Sequence, residues 1–137
     1  MVFFVAGEPR PKGSKTTIRK GGRSWTVEDG DMATKTRKAG SVKAWMAAVA
    51  SAAKARGVEK LDGPVEVEMR FALPKPKTVM RKQPTVAPDV DKLARAVADA
   101  LNGVCWSDDA QVCKLVVTKL YSDETFAAGV TVWVGPA

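Results

Sequence analysis

The segment from Val65 to Leu73, VEVEMRFAL, constrains the fold most, because it alternates as a half-buried strand does. Its apolar face consists of Val65, Val67, Met69, Phe71 and Leu73. A strand with one apolar face needs a second layer to cover it. Two helix patterns, Ser41 to Arg56 and about Val90 to Leu101, each carry one apolar stripe. Ser41 is the predicted N-cap of the first helix, and Gly57 is its predicted stop. The two helix patterns together predict a sheet backed by two helices.

Other parts of the chain supply the remaining strands. They are Val2 to Ala6, a hairpin from Thr16 to Val27, and two closing strands at Val112 to Leu120 and Ala128 to Val134. The predicted order is strand, hairpin, helix, strand, helix, strand, strand. At 137 residues the chain is long enough for one hydrophobic core. We therefore predict a single α+β domain over residues 1–137.

The charge of the chain narrows its chemistry. A formal net charge of +7 favours a polyanionic partner such as nucleic acid. The chain has no histidine, which excludes nucleases of the HNH type and any Ser-His or Cys-His nucleophile pair. No apolar run approaches a membrane span and the N-terminus lacks a signal-peptide pattern, so we expect a cytoplasmic protein with no membrane contact.

Four aspartates lie in two pairs between Pro88 and Val112. Asp89 and Asp91 come at the start of the second helix pattern, and Asp108 and Asp109 follow it. Carboxylates, water and phosphate oxygens are the ligands that Mg²⁺ prefers, so the pairs predict a Mg²⁺ site for phosphodiester hydrolysis. Each acid also has a structural interpretation as a helix cap or a partner in a helical ion pair. The residues alone leave both interpretations open.

Projection of the second helix separates its faces. The predicted core face consists of Val90, Leu93, Ala94, Val97, Ala100 and Leu101. Asp91, Arg95 and Asn102 share another stripe, away from that face. Asp99 lies on the flank of the helix, further along, and is interpreted as structural.

Several blocks of this sequence are shared with a known family. PDVDKL, DALNG and W-x-DDAQV closely resemble motifs of the RusA-like endodeoxyribonucleases, which resolve Holliday junctions. The opening FFVAGEPRPKGS and the segment LDGPVEVEMRFALPKPK are similar to the family's first and central strands with their loops. The resemblance covers most of the chain. It implies Mg²⁺ as the cofactor, with Mn²⁺ as a substitute, branched DNA as the substrate, and a homodimer with one site per subunit.

The resemblance also implies which acids act. Asp89 and Asp91 match the paired catalytic aspartates that bind the metal. Asp109 matches the third acid, and Asp108 lies beside it as a further ligand.

The cationic part of the motif departs from the family. Arg95 stands where the family has its catalytic lysine, Lys92 where it often has asparagine, and Ala87 where it has a lysine. A guanidinium does not give up its proton near neutral pH, so Arg95 is expected to act electrostatically. Whether Arg95 or Lys92 replaces the lysine stays open in the sequence.

Basic loop residues are candidates for contact with the DNA backbone. The first cluster consists of Arg10, Lys12, Lys15, Arg19, Lys20 and Arg23. The second, which precedes the acidic segment, consists of Lys75, Lys77, Arg81 and Lys82, with Lys92 in the helix beyond it. Trp25 and Trp106 are candidates for stacking on bases, whereas Trp45 and Trp133 fit core patterns.

The leading hypothesis is a Mg²⁺-dependent endonuclease that cuts four-way DNA junctions in recombination and repair, in a bacterial or phage-infected cell. One alternative is a broader nuclease that also cuts flaps and forks. A second is a non-enzymatic junction-binding module whose catalytic site has decayed at Ala87, Lys92 and Arg95.

Overall fold

The computed structural model describes residues 1–13, 15–28 and 41–137, with backbone alone at 15–20 and 24–28. The strands are β1 (Val2–Ala6), β2 (Lys15–Lys20), β3 (Arg23–Glu28), β4 (Val65–Leu73), β5 (Val112–Tyr121) and β6 (Gly129–Pro136). The helices are α1 (Val42–Ala55), α2 (Val90–Leu101) and a short 3-10 helix (Asp109–Gln111). This confirms the predicted α+β class and the order of elements.

The main sheet has four strands in the order β1-β6-β4-β5, and β2 and β3 form a separate antiparallel hairpin. β6 pairs antiparallel with both β1 and β4, whereas β5 pairs parallel with β4. The last two strands are therefore neighbours in sequence but not in the sheet, since β4 lies between them. This leaves the outer edge of β5 without a partner strand in the described part of the chain.

Both helices contribute to one core with the sheet. The apolar face of β4 is buried as predicted, with Val65, Met69 and Phe71 fully inaccessible. α1 begins at its predicted cap, where the Ser41 side chain accepts a hydrogen bond from the Ala44 amide at 3.1 Å. The chain leaves α1 through Gly57, whose φ of 80° is a conformation that glycine adopts most readily.

The buried face of α2 differs slightly from its prediction. Leu93, Ala94, Ala96, Val97 and Leu101 are buried, whereas Val90 in the first turn is 37% exposed. In the described part of the chain, no helix has the length and apolar character needed to cross a bilayer.

Candidate active site

The two aspartates at the start of α2 are both exposed. Asp89 is the N-cap residue, but its side chain makes no capping hydrogen bond in the described structure. Its nearest charged partner is Lys92, whose Nζ lies 3.7 Å from Asp89 Oδ2, and both side chains are about half exposed. Asp91 occupies the first turn, where the helix dipole favours a negative charge. Neither carboxylate is therefore used up by a structural contact.

Lys119 fixes the backbone that leads into this pair. Its Nζ donates hydrogen bonds of 2.9 Å to the carbonyls of Val86 and Pro88, directly before Asp89. Lys119 lies near the end of β5, in register with the buried Phe71 of β4. Its ammonium therefore connects the C-terminal end of β5 to the start of α2. Sequence reasoning missed this residue. The signal was available, because Lys119 is a charged residue two positions after Val117, on the same partly buried face of β5.

Asp109 and Asp108, which follow the other end of α2, accept hydrogen bonds from different donors. Trp106 Nε1 donates a 2.7 Å hydrogen bond to Asp109 Oδ1, which orients that half-buried carboxylate. Asp108 Oδ1 accepts from the Ala110 amide at 2.9 Å, in a capping box that Gln111 completes. Asp108 is thus the cap of the turn, as its structural interpretation proposed, and this engages one of the oxygens that we assigned to a metal.

The structure separates Asp109 from the first pair. The 12 residues of α2 span about 18 Å. Asp89 and Asp91 lie at its start, whereas Asp109 follows its end. β5 starts just after Asp109 and reaches the other site at Lys119, seven residues and roughly 23 Å along a strand. Within the described residues, no three acidic or cysteine side chains form a group that could hold a metal. One subunit therefore brings Asp89 and Asp91 together, and the prediction that Asp109 joins them is wrong for a single chain.

This donor set fits a hard cation only in part. Two exposed carboxylates of one chain match the one or two that Mg²⁺ takes beside water and phosphate oxygens. Asp109, whose carboxylate accepts a hydrogen bond from the Trp106 indole, does not join these two carboxylates within one chain.

The predicted cations divide into two groups. Arg95 is exposed on the face of α2 that carries Asp91, and the ion pairs among the described residues join Lys12 to Asp99 and Lys92 to Asp89 instead. Lys12 instead binds Asp99, with Nζ 2.9 Å from Oδ2, and its amide donates to the Lys92 carbonyl at 3.0 Å. Lys12 therefore joins the first loop to α2, and Asp99 is structural as predicted.

The prediction for Arg10 is corrected. Its side chain is 1% exposed, so the first loop turns it inward and it does not belong to a DNA-facing surface. Arg23 is exposed, while the side chains of Lys15, Arg19 and Lys20 lie outside the described part of the structure.

The second basic cluster remains at the surface. Lys75, Lys77, Arg81 and Lys82 are all exposed. Arg81 Nε donates to the Tyr121 hydroxyl at 2.9 Å, and Lys75 Nζ lies 5.6 Å from the centre of the Tyr121 ring. Since Tyr121 ends β5, this cluster lies at the same end of the sheet as the Lys119 contact.

The tryptophans also divide. Trp106 is fully buried, which excludes it as a candidate for stacking on a base, and it orients Asp109 instead. Trp45 is 5% exposed and belongs to the core, as predicted. Trp133 is half-buried, with the Arg70 guanidinium 5.4 Å from its ring centre. The side chain of Trp25 lies outside the described structure.

Comparisons with known proteins agree with this arrangement of motifs. A family model described as "Endodeoxyribonuclease RusA" matches residues 6–134. A protein of Bacillus subtilis (strain 168) with the description "Uncharacterized protein YqaN" is 36% identical over an aligned length of 138 residues. The alignment covers 89% of this chain and 88% of that protein.

Proposed function

The chain belongs to the RusA endodeoxyribonuclease family, and from this premise we propose that it is a Mg²⁺-dependent nuclease that resolves four-way DNA junctions. Family membership supports an endodeoxyribonuclease activity in general. The observation that carries the finer proposal is the pair of exposed carboxylates, Asp89 and Asp91, whose backbone is fixed by Lys119 beside a basic surface.

Asp89 and Asp91 would hold the cation, and water and a DNA phosphate would supply its remaining ligands. When bound, Mg²⁺, or Mn²⁺ in its place, stabilises charge on the scissile phosphate and activates the attacking water. Arg95, one turn beyond Asp91, supplies positive charge to that phosphate without a proton transfer. Lys92, whose Nζ lies 3.7 Å from Asp89, would supply a second positive charge to the DNA backbone beside the carboxylates.

We propose a homodimer, because Asp109 could join Asp89 and Asp91 as a third metal ligand only if it came from a second subunit. The free edge of β5 exposes Leu115 (46%) and Val116 (41%), and an unpaired strand edge is a template for a second strand. When two copies of β5 pair antiparallel about a two-fold axis, the start of one strand lies beside the end of the other. The partner subunit's Asp109 then approaches Asp89 and Asp91. Each dimer has two such sites, as two symmetrical cuts require.

The basic surface beside the carboxylates supports DNA as the substrate. Lys75 and Arg81 contact Tyr121 at the end of β5, and Lys77 and Lys82 are exposed in the same loop, which leads into α2. Cations on a loop can follow a phosphate backbone without reading bases, so we propose that the enzyme recognises the shape of the branch. We place its work in recombination and repair, in the cytoplasm of a bacterial or phage-infected cell.

A substrate panel tests the proposal. Four-way junctions, flaps, forks and linear duplexes are incubated with Mg²⁺ and either the wild type or Asp91→Asn. We expect symmetrical nicks in the four-way junction, which Asp91→Asn abolishes while junction binding survives. Equal cutting of flaps and forks would instead favour the broader nuclease. Tight junction binding without any cleavage by the wild type would favour the decayed binding module.

A further inference from the structure

Met80 is the most exposed large apolar residue in the described structure, with 91% of its surface accessible. It lies in the loop of residues 74–88, between the end of β4 and the start of α2. Single exposed apolar side chains are common on protein surfaces, so exposure alone assigns no role. The position of Met80 in this loop is what distinguishes it.

The loop is fixed on both sides of Met80. Before it, the Val79 amide donates to the Pro76 carbonyl at 3.1 Å, which closes a turn. After it, Arg81 Nε binds the Tyr121 hydroxyl at 2.9 Å, and Lys119 holds the carbonyl of Val86 further along. These contacts attach the loop to the end of β5. Met80 therefore lies exposed at the tip of the loop, the segment 79–81, between two fixed points.

The charges around the tip match a DNA backbone. Lys77, Arg81 and Lys82 are exposed within three residues of Met80, and no acid occurs between Glu68 and Asp89. The same loop ends at Asp89, so the tip and the proposed metal site share one end of the sheet. DNA that is bound by these cations for cleavage therefore passes the Met80 side chain.

We propose that Met80 is a wedge that inserts between bases at the branch point of the DNA, an inference that rests on the proposed function. Proteins that bind and bend DNA through Arg and Lys contacts frequently also insert an apolar side chain, such as Phe, Leu, Ile or Met, into a base step. Unstacking costs least where stacking is already interrupted, as at a branch. The wedge therefore favours branched over linear DNA, and Met80 determines specificity without taking part in hydrolysis.

The test compares Met80→Ser with Met80→Leu, which keeps the apolar volume, and with Phe126→Ser, which removes an exposed apolar side chain (44%) from the neighbouring turn between β5 and β6, outside the basic loop. A 2-aminopurine base at the branch reports unstacking, with Ca²⁺ in place of Mg²⁺ to suppress cleavage. We expect a fluorescence rise with the wild type, Met80→Leu and Phe126→Ser. Met80→Ser should lose most of that rise and bind the junction about tenfold more weakly, with unchanged linear-duplex affinity.

Two results would overturn the wedge. One is a Met80→Ser protein with wild-type fluorescence and junction affinity. The other is an equal loss of affinity for junction and linear duplex, which would make Met80 a general contact. Cleavage by the wild type separates this failure from failure of the proposed function: a wild type that cuts junctions while Met80→Ser behaves identically refutes the wedge alone.

Discussion

Replacement of Lys119 by methionine tests how the structure positions Asp89 and Asp91, the pair that we propose to be catalytic. The change keeps most of the apolar stem and removes both 2.9 Å hydrogen bonds to the carbonyls of Val86 and Pro88. A hydrogen bond to a charged group contributes about 1.5–3 kcal/mol when buried. The Val86 bond is exposed and the Pro88 bond only partly buried, so water replaces much of what is lost. We expect a stability loss of about 1–2 kcal/mol in total.

The effect on cleavage should be larger than the effect on stability. The Pro88 carbonyl directly precedes Asp89, so its release allows the carboxylate to shift. A misplacement of roughly 1 Å can lower a rate about 100-fold. We therefore expect kcat to fall about 10- to 100-fold, while the melting temperature falls by about 3–8 °C. Junction affinity in Ca²⁺ should change little.

The assay measures thermal unfolding and single-turnover junction cleavage over a range of Mg²⁺ concentrations. Lys54→Met, in the exposed last turn of α1 at the opposite end of the sheet, where Arg56 contacts Val2, removes the same charge and serves as the matched control. Partial recovery of the Lys119→Met rate at high Mg²⁺ would agree with a displaced ligand. A variant that melts several degrees lower but cleaves at the wild-type rate would refute the positioning role of Lys119.

Two further predictions concern the core. A Cβ at Gly129 would clash with the Val5 carbonyl oxygen, so Gly129→Ala should lower the free energy of unfolding by about 2–4 kcal/mol in a denaturant titration. Gly135→Ala, with no atom within 4 Å of its new Cβ, should change it by less than about 1 kcal/mol; equal losses would contradict the packing account. Burial raises the pKa of the Cys105 thiol from 9.0 to about 11, whereas Cys113 is exposed, so one thiol per chain should react with a thiol reagent before unfolding and two after it. As the pH rises, the Cys105 thiol loses its proton in the unfolded chain before it does so in the folded chain. The free energy of unfolding should therefore fall by up to about 3 kcal/mol as the pH rises from 9.0 to about 11, and this fall should be absent in Cys105→Ala.

The elements of the fold could be predicted because each carries a local signal. α1 has a capping serine, a helical stripe and a glycine stop, and its observed bounds lie within one residue of that signal. The order of strands in the sheet has no such signal, because pairing joins segments that are distant in sequence. β5 and β6 read as successive strands, yet β4 separates them. Val90 was assigned to the core face by periodicity, but it is the first residue of α2 and stays partly exposed.

The candidate site was predictable in its chemistry and less so in its geometry. Asp89 and Asp91 are two positions apart, at the N-cap and in the first turn of one helix, so their proximity followed from the sequence. Asp109 belongs to the same motif, but a complete helix separates it from them, and motif spacing does not give that distance. Arg10 and Trp106 lie in irregular segments, where no periodicity indicates which way a side chain points, and both proved to be buried.

A mixture of two inactive subunits tests the central claim most directly. Asp91→Asn and Asp109→Asn chains with different affinity tags are co-expressed, and the mixed dimer is purified through both tags. If each site takes Asp89 and Asp91 from one subunit and Asp109 from the other, the mixed dimer has one intact site and one that lacks both acids. We predict that it nicks one strand of a four-way junction in Mg²⁺, while each homodimer is inactive. A mixed dimer that binds the junction but leaves it uncut would contradict the shared site.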